Sequence, residues 1–185
     1  MAEKRRVLYV IVCAAGPARD VGELVGLARE RDWDVHIVAT PSGMDFIDVA
    51  ALEARTGRPV LSRYRKPSEP RSPRADAIIV APATYNTVNK WAGGISDTYA
   101  LGILAEAVGL GIPVVALPFV NTALAARRPF RRSVEDLREE GVRIIFGPGE
   151  LEPRDPEAGD EQVDVRLWHL ALDEVQRLYG RGRAR

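Results

Sequence analysis

The sequence predicts an α/β protein in which a doubly wound parallel sheet lies between two layers of helices, a three-layer α/β/α arrangement. Short, mostly apolar runs recur along the chain, as in strands that are buried on both faces of a sheet. Longer amphipathic segments separate these runs, and such alternation is typical of parallel sheets. The five strands are predicted at residues 7–12, 35–39, 77–80, 114–117 and 142–146.

The helices are predicted from apolar residues at three-to-four spacing between the strands. Gly57, Gly111 and Gly141 follow three of these segments, where a residue in the left-handed conformation would end each helix before the next strand. The predicted helices cover residues 21–31, 44–54, 87–91, 98–108, 133–140 and 163–179.

Two segments lack any periodicity. Residues 61–74 contain three prolines and five basic residues, which predicts an irregular loop. Residues 147–160 are rich in proline, glycine and acidic residues, which predicts a loop or a disordered connector. We therefore expect one domain over residues 1–146, followed after the connector by a C-terminal helix over 161–180. That helix packs on the same domain or on a neighbouring subunit, and residues 181–185 form a basic tail.

Composition narrows the class of protein. The 185 residues are 46% apolar, which fits a single globular core. The 26 basic residues equal the 26 acidic ones, so the charge balance favours neither nucleic acid nor an anionic membrane as a partner. The chain has no apolar run of about 18 residues, and the apolar segment 7–15 fits a buried strand better than a signal sequence, so we expect a cytoplasmic location. The single cysteine, Cys13, excludes an internal disulfide and a thiolate metal cluster, and no metal site is predicted.

Polar side chains gather where the third predicted strand ends. The apolar run Ala77 to Val80 continues through Ala81, Pro82 and Ala83 into a loop with hydroxyl and amide groups. In open parallel sheets, ligands bind outside the carboxyl ends of the strands. This loop is therefore the first candidate for a ligand site. Its polar residues are Thr84, Asn86, Thr87 and Asn89.

The order of these residues resembles the flavin-containing decarboxylase-like flavoproteins, the family that includes phosphopantothenoylcysteine decarboxylase and the lantibiotic peptidyl-cysteine decarboxylases. The resemblance covers roughly residues 5–146. It implies a flavodoxin-like fold, an FMN cofactor and a homo-oligomer built as a trimer or a multiple of trimers. The matching residues are Ala81-Pro82-Ala83-Thr84, Asn86-Thr87-Val88, Lys90, Ala92, Gly94-Ile95-Ser96-Asp97 and Pro118-Phe119-Val120-Asn121.

The resemblance also implies residues for the FMN phosphate. Gly16 belongs to the first strand-to-helix turn, although Pro17 replaces the usual serine and removes one N–H donor. In the second turn, Thr40 and Phe46 keep the family spacing. Ser42 is either a helix cap with a second role as phosphate ligand, or a plain capping serine.

For the third loop, the resemblance implies that Ala81, Pro82 and Ala83 wrap the flavin ring and that Thr84 and Asn86 hydrogen-bond to it. The alternative is that these polar residues only cap the helix predicted near residue 87. Asp97 would lie close to the cofactor and to a subunit contact, or would cap the helix predicted from Thr98.

The sequence departs from the family at two catalytic positions. The family's decarboxylases carry a histidine shortly before the third strand and a cysteine after the fifth, and this chain has neither in those segments. Tyr64 lies in the segment that lacks the histidine and is the nearest candidate for a base, although an ordinary phenol with a pKa near ~10 is a weak one. Asn121 survives, and the resemblance implies that it binds the carboxylate of the substrate; the alternative is an ordinary turn asparagine.

Three functions are compatible with this pattern. The first is an FMN-dependent oxidative decarboxylase or oxidoreductase that acts on a small carboxylate or a peptide C-terminus, with Asn121 and Tyr64 as its catalytic residues. The second is a catalytically degenerate module that keeps the flavin pocket for binding or regulation. The third is a flavin prenyltransferase, which ranks last because its members have a serine-rich first loop.

Overall fold

Five parallel strands form a single sheet in the order β2-β1-β3-β4-β5. The computed structural model describes residues 5–157 and 164–183. The strand order reverses direction between β1 and β3, as in flavodoxin-like proteins, so the predicted fold class is confirmed. The strands are β1 Arg6–Val12, β2 Trp33–Ala39, β3 Ala77–Ala83, β4 Val114–Pro118 and β5 Arg143–Ile144.

Helices cover both faces of the sheet. Along β1, Leu8 and Val10 point to one helical layer, and Tyr9 and Ile11 point to the other. The first layer contains α1, α2 and α7, and the second contains α3, α4 and α6. The helices are α1 Val21–Glu30, α2 Val49–Thr56, α3 Tyr85–Ala92, α4 Tyr99–Gly109, α5 Thr122–Ala125, α6 Arg128–Glu139 and α7 Val165–Arg183.

Helix boundaries differ most from the prediction at the second turn and at α6. The single helix predicted over 44–54 is instead a 3₁₀ turn, Pro41–Phe46, followed by α2, because Asp48 caps α2 by accepting a hydrogen bond from the Ala51 amide. Helix α6 starts five residues earlier than predicted, since Pro129 fits a first helical turn, and α5 precedes it.

The predicted helix stops are confirmed. Gly57, Gly111 and Gly141 all have positive φ angles, of 69°, 65° and 91°. Side chains rarely adopt this conformation, so glycine ends each helix at little cost.

The loop over residues 61–74 takes the place of a helix on one face of the sheet. Leu61 pairs with Val38 at the edge of β2, and the chain then runs irregularly to the start of β3. The loop lies on the same side of the sheet as α4, where Leu61 and Ala75 pack into the core. The predicted irregular structure of this segment is confirmed.

The segment after β5 also lacks regular structure as far as residue 157, whereas residues 158–163 of the predicted connector and helix lie outside the described residues. Helix α7 packs on the sheet through Trp168, Leu172 and Val175, beside α1. It continues to Arg183, into the segment predicted as a tail. Within the described ranges, no helix is both long and apolar enough to cross a bilayer.

Candidate functional site

The carboxyl ends of β1 and β3 meet at the point where the strand order reverses. The backbone N–H of Cys13 donates a hydrogen bond of 3.1 Å to the carbonyl of Pro82 and ties the two loops together. Burial raises the pKa of the Cys13 thiol, and hydrogen bonds with Thr87 and Thr84 oppose this effect without reversing it. The thiol is therefore protonated at neutral pH and serves as a small packing group, not as a nucleophile.

The first turn offers open backbone donors. The chain forms a 3₁₀ turn over Gly16–Asp20, and the N–H groups of Ala14 and Gly16 make no hydrogen bond to the described residues. Both residues are half-buried. Pro17 lies in the first turn of this helix, where backbone N–H groups have no acceptor within the helix. The missing N–H of proline therefore costs no helical hydrogen bond. The turn therefore keeps two donors that can face an anion.

A carboxylate follows the same turn. One oxygen of Asp20, Oδ2, is buried without a hydrogen-bond partner and lies 3.9 Å from Nε of Arg19. At this distance the two groups attract each other without a hydrogen bond. Neither residue was singled out from the sequence, since a local pattern does not show which oxygen is buried.

Thr40 builds the second turn. Its hydroxyl accepts a hydrogen bond of 3.1 Å from the Gly43 amide, and its own amide donates to the carbonyl of Val12. A Cβ on Gly43 would come within 2.6 Å of that Val12 carbonyl, so only glycine fits this close approach.

This arrangement corrects one prediction about the second turn. The cap is Thr40, not Ser42, because Ser42 lies inside the 3₁₀ turn. The Ser42 side chain is exposed and makes no hydrogen bond to the described residues, which leaves its hydroxyl open to a ligand. Phe46 ends the turn with 44% of its surface exposed, unusual for a large apolar side chain.

The third loop combines capping with open polar groups. Thr84 caps α3: its hydroxyl accepts from the Thr87 amide at 3.3 Å and donates to the Thr87 hydroxyl at 3.0 Å. The capping alternative therefore describes Thr84. Asn86 is different, since it is exposed and its side chain makes no hydrogen bond to the described residues. Ala81, Pro82 and Ala83 form the buried end of β3.

Asp97 does not cap α4. Thr98 performs that role by accepting a hydrogen bond of 3.2 Å from the Leu101 amide. The Asp97 carboxylate instead pairs with Nζ of Lys90, at the end of α3. Gly94, with φ of +70°, makes the turn between the two helices that brings these charges together.

Asn121 lies at the carboxyl end of β4 and caps α5. Its Oδ1 accepts a hydrogen bond of 2.9 Å from the Leu124 amide. The segment that follows β5 returns to this point, where the Thr122 amide donates to the carbonyl of Arg154 at 2.7 Å and the Arg154 amide donates to Val120 at 3.2 Å. Arg154 also places its guanidinium 5.7 Å from the centre of the Phe119 ring.

Arg154 is a further residue that the sequence did not reveal. It pairs with Asn121 through a parallel bridge between segments more than thirty residues apart. The only local sign was a basic residue among the acids of the connector.

Tyr64 lies in the irregular 61–74 loop. Its ring packs edge-on against Tyr99 of α4 at 5.2 Å. No hydrogen bond or ring contact among the described residues joins Tyr64 to Asn121. The cleft that Tyr64 lines does not include Asn121.

These loops define an α/β protein of the flavodoxin-like class with a polar ligand edge at its switch point. A model of the Flavoprotein family matches residues 1–165, and the chain belongs to that family. The predicted family resemblance is thereby confirmed.

Related sequences agree with this assignment. The chain is 29% identical over 132 residues to the "Coenzyme A biosynthesis bifunctional protein CoaBC" of Thermococcus kodakarensis, which covers 66% of this chain and 32% of that protein. It is 28% identical over 133 residues to the protein of the same name from Escherichia coli K12, which covers 68% and 32%. The chain thus spans about a third of the length of these curated relatives. A "probable phosphopantothenoylcysteine decarboxylase" of Streptococcus mutans is 25% identical over 129 residues, covering 66% of this chain and 68% of that one.

Solved structures show the same fold. HAL3 from Cryptococcus neoformans superposes with a TM-score of 0.77 at 21% identity, over 97% of this chain and 99% of that one. The FMN-dependent cysteine decarboxylase SpaF gives a TM-score of 0.72 at 22% identity, over 95% and 97%. A mutant of PPC decarboxylase, complexed with pantothenoylaminoethenethiol, gives 0.65 at 25% identity, over 77% and 82%.

Proposed function

We propose that the protein binds FMN at the edge formed by the first three loops. The observation that carries this proposal is the set of open donors around the switch point: the amides of Ala14 and Gly16, the hydroxyl of Ser42 and the amide of Asn86. A phosphate needs such backbone and hydroxyl donors, and a flavin ring needs polar groups beside apolar ones. The exposed ring of Phe46 and the backbone of Ala81 to Ala83 would flank the cofactor.

The reaction that we propose is an oxidation or oxidative decarboxylation of a small carboxylate or a peptide C-terminus. Bound FMN would supply the hydride acceptor. Asn121 would bind the substrate carboxylate, because capping of α5 engages its Oδ1 and leaves its Nδ2 hydrogens as donors. The backbone of Arg154 bridges to Asn121, and its guanidinium, 5.7 Å from the centre of the Phe119 ring, brings positive charge to this end of β4.

One observation favours a second candidate, a flavin-binding module without turnover. The described residues at this edge include no histidine, the thiol of Cys13 is protonated, and Tyr64 packs on α4, which leaves carboxylates such as Asp20 as the groups that could accept a proton. A homotrimer, which the family resemblance implies and which we include in the proposal, would allow a neighbouring subunit to supply Tyr64. Light scattering on the purified protein measures the number of chains.

The first experiment is a visible absorption spectrum of the purified protein, followed by denaturation and identification of any released chromophore. We expect about one FMN per chain. A colourless protein that also fails to take up added FMN would refute the proposal.

The second experiment tests whether the protein binds and oxidises a substrate that carries a carboxylate. Anaerobic mixing of the flavin-loaded protein with a cysteine-ending peptide should bleach the flavin and release carbon dioxide. A flavin that stays oxidised with such peptides and with phosphopantothenoylcysteine favours the module without turnover.

Asn121→Asp is the informative variant for the carboxylate site, because aspartate caps a helix as well as asparagine does and so keeps α5. Like charges should then weaken carboxylate binding, and unchanged binding would remove Asn121 from the site.

A further inference from the structure

A large cleft lies away from the flavin loops, between the 61–74 loop, α4 and one face of β1 and β2. Its volume is about 1480 Å³. Ligand pockets commonly range from about 300 to about 1,000 Å³, so the cleft is large enough for a drug-sized ligand. The proposed flavin site does not use this cleft, since none of Gly16, Thr40 and Asn86 lines it.

One wall of the cleft consists of aromatic rings. His36 stacks on Tyr9 with 5.5 Å between ring centres, and Tyr64 meets Tyr99 edge-on at 5.2 Å. Burial, and then the neighbouring Tyr99, raise the pKa of Tyr9, so its phenol stays neutral. Its hydroxyl donates to the carbonyl of Pro73 and so holds the loop over the wall. Tyr9 and His36 are almost fully buried, so Tyr64 and Tyr99 are the rings of this wall that a ligand can reach.

The charged side chains of the remaining lining are mostly arginines. Arg58 is held by Asp34, and Arg63 is held by Glu69, in each case by two hydrogen bonds. The other three arginines have no carboxylate partner among the hydrogen bonds of the described residues. The charged residues that line the cleft are Arg58, Arg63, Arg65, Arg71 and Arg74 against Glu69 and Glu106.

Three arginines thus line the cleft without a hydrogen-bonded carboxylate, against one further carboxylate of the lining, that of Glu106. Arg65 donates to backbone carbonyls of its own loop, and Arg74 donates to the carbonyl of Leu110 at 3.3 Å. Arg71 is exposed and makes no hydrogen bond to the described residues. A guanidinium presents two parallel donors that match a carboxylate.

His36 adds a polar group without a good partner. The residue is only 6% exposed, and its Nε2 is buried with no hydrogen bond. The nearest acceptor, Oδ2 of Asp34, lies 3.5 Å away, at the outer limit of a hydrogen bond. Burial lowers the pKa of His36, and the attraction of Asp34 does not compensate, so the ring is neutral at pH 7. Buried polar groups without partners are uncommon in native proteins and often mark a functional site.

From this combination of ring wall, basic loop and buried imidazole, we propose that the cleft is a binding site for a planar aromatic carboxylate. The aromatic ring of the ligand would lie against Tyr64 and Tyr99, and its carboxylate would meet Arg71 at the mouth of the cleft. Stacking on the rings selects a flat ligand, and the arginines select its negative charge. None of the residues proposed to hold FMN lines this cleft, whereas Tyr64, which a neighbouring subunit would supply in the proposed trimer, does. Displacement by FMN therefore distinguishes the two proposals.

Isothermal titration calorimetry of the full chain with 4-hydroxybenzoate tests the site. Cyclohexanecarboxylate, which has the same charge without the flat ring, serves as the matched ligand. We expect 4-hydroxybenzoate to bind roughly tenfold more tightly than cyclohexanecarboxylate. Absence of binding at millimolar ligand, or equal binding of both acids, would overturn the proposal. Displacement by FMN would do so too, since it would place the ligand at the flavin loops.

Variants locate the binding within the cleft. Arg71→Gln removes a charge from an exposed position. Arg71 makes no hydrogen bond to the described residues, so the fold should be unaffected. We expect roughly five- to tenfold weaker binding of 4-hydroxybenzoate. Arg177→Gln on α7 is the control, because that arginine pairs with Glu174 outside the cleft. Equal affinities for the Arg71→Gln and Arg177→Gln proteins would refute the proposed location.

Discussion

The hydroxyl of Tyr64 lies directly against Gly102 of α4, where a Cβ would come within 2.2 Å of the Tyr64 oxygen. Glycine within a helix is unfavourable by about 1 kcal/mol relative to alanine, and here it makes room for a ring from a distant loop. That ring also meets Tyr99 edge-on. Packing of Tyr64 on Gly102 and Tyr99 thus anchors the irregular 61–74 loop on α4, although 59% of the Tyr64 surface remains exposed.

Gly102→Ala tests this relationship. In a helix without the obstructing ring, alanine should stabilise the protein by about 1 kcal/mol. In the native background Tyr64 has to leave its place, which sacrifices an aromatic contact of about 0.5–1.5 kcal/mol. We therefore expect little net change in the free energy of unfolding for Gly102→Ala alone, and a clear gain when it is added to Tyr64→Ala. Urea denaturation of the four proteins measures this coupling, and equal gains in both backgrounds would show that the ring moves aside freely.

His36 should make the stability of the fold sensitive to acid. Burial lowers the pKa of its imidazole below the ordinary value of 6.5, which applies to the unfolded chain. Between the two values the unfolded state binds a proton that the folded state does not bind, so stability falls as the pH drops below about 6.5. Asp34 acts in the same direction at lower pH. Burial alone would raise the pKa of Asp34, but hydrogen bonds and charge from Arg58 and His36 outweigh burial and lower it.

The measurement is the urea midpoint at pH 7.5 and at pH 5.5. We expect His36→Gln to reduce the loss of stability on acidification. His169→Gln is the matched control, since His169 is exposed on α7. If both variants keep the same pH dependence as the native protein, the buried imidazole is not the source of the acid sensitivity.

Local sequence patterns were enough to predict much of the fold. The apolar runs place β1 and β3, and Gly57 and Gly141 end helices at the expected positions because left-handed backbone favours glycine. The same patterns were wrong about the second turn. Thr40 and Ser42 are both good capping residues, and the choice of Thr40 depends on its contact with Val12 of a different strand.

Parts of the candidate site depend on long-range contacts and could not be predicted. Arg154 reaches Asn121 only because the segment after β5 returns to the end of β4. The cleft beneath the 61–74 loop has the same origin, since it requires His36 and Tyr99 to line one space between a sheet and a helix. Periodicity carries no information about such pairs, which are set by packing between distant elements.

Thr84 should contribute both to FMN affinity and to the free energy of unfolding, and the two contributions can be measured separately. Thr84→Ala removes the α3 cap, which costs about 1 kcal/mol of unfolding free energy. Asp48→Ala removes the α2 cap, which is exposed and similar in geometry at 3.0 Å, and should cost about the same. Because this cap fixes the start of α3, where the proposed FMN donor Asn86 lies, we expect only Thr84→Ala to weaken FMN binding, measured by fluorescence quenching of the flavin, and Thr84→Ser to restore it. Equal FMN affinity in the Thr84→Ala and Asp48→Ala proteins would limit Thr84 to its capping role.

Glu150 holds the segment that brings Arg154 to Asn121. Its carboxylate accepts hydrogen bonds from Arg143 and, at 3.0 Å, from the Phe146 amide. The hydrogen bond from Arg143 is the main reason that the pKa of Glu150 lies below its ordinary value, even though burial acts against it. A lowered carboxylate pKa stabilises the fold above the unfolded value of about 4.5, and this contribution is lost as the pH falls through the folded value.

Glu150→Gln should therefore loosen this segment at neutral pH and cost about 1 kcal/mol of stability. Hydrogen exchange gives the local readout. The amides of Thr122 and Arg154, which join the segment to the end of β4, should exchange faster, whereas the Phe119 amide, bonded to Ala83 within the sheet, should stay protected. Asp164→Asn, at the exposed start of α7, controls for the loss of a charge. Unchanged protection of Thr122 and Arg154 would show that the bridge to Asn121 holds the segment without help from Glu150.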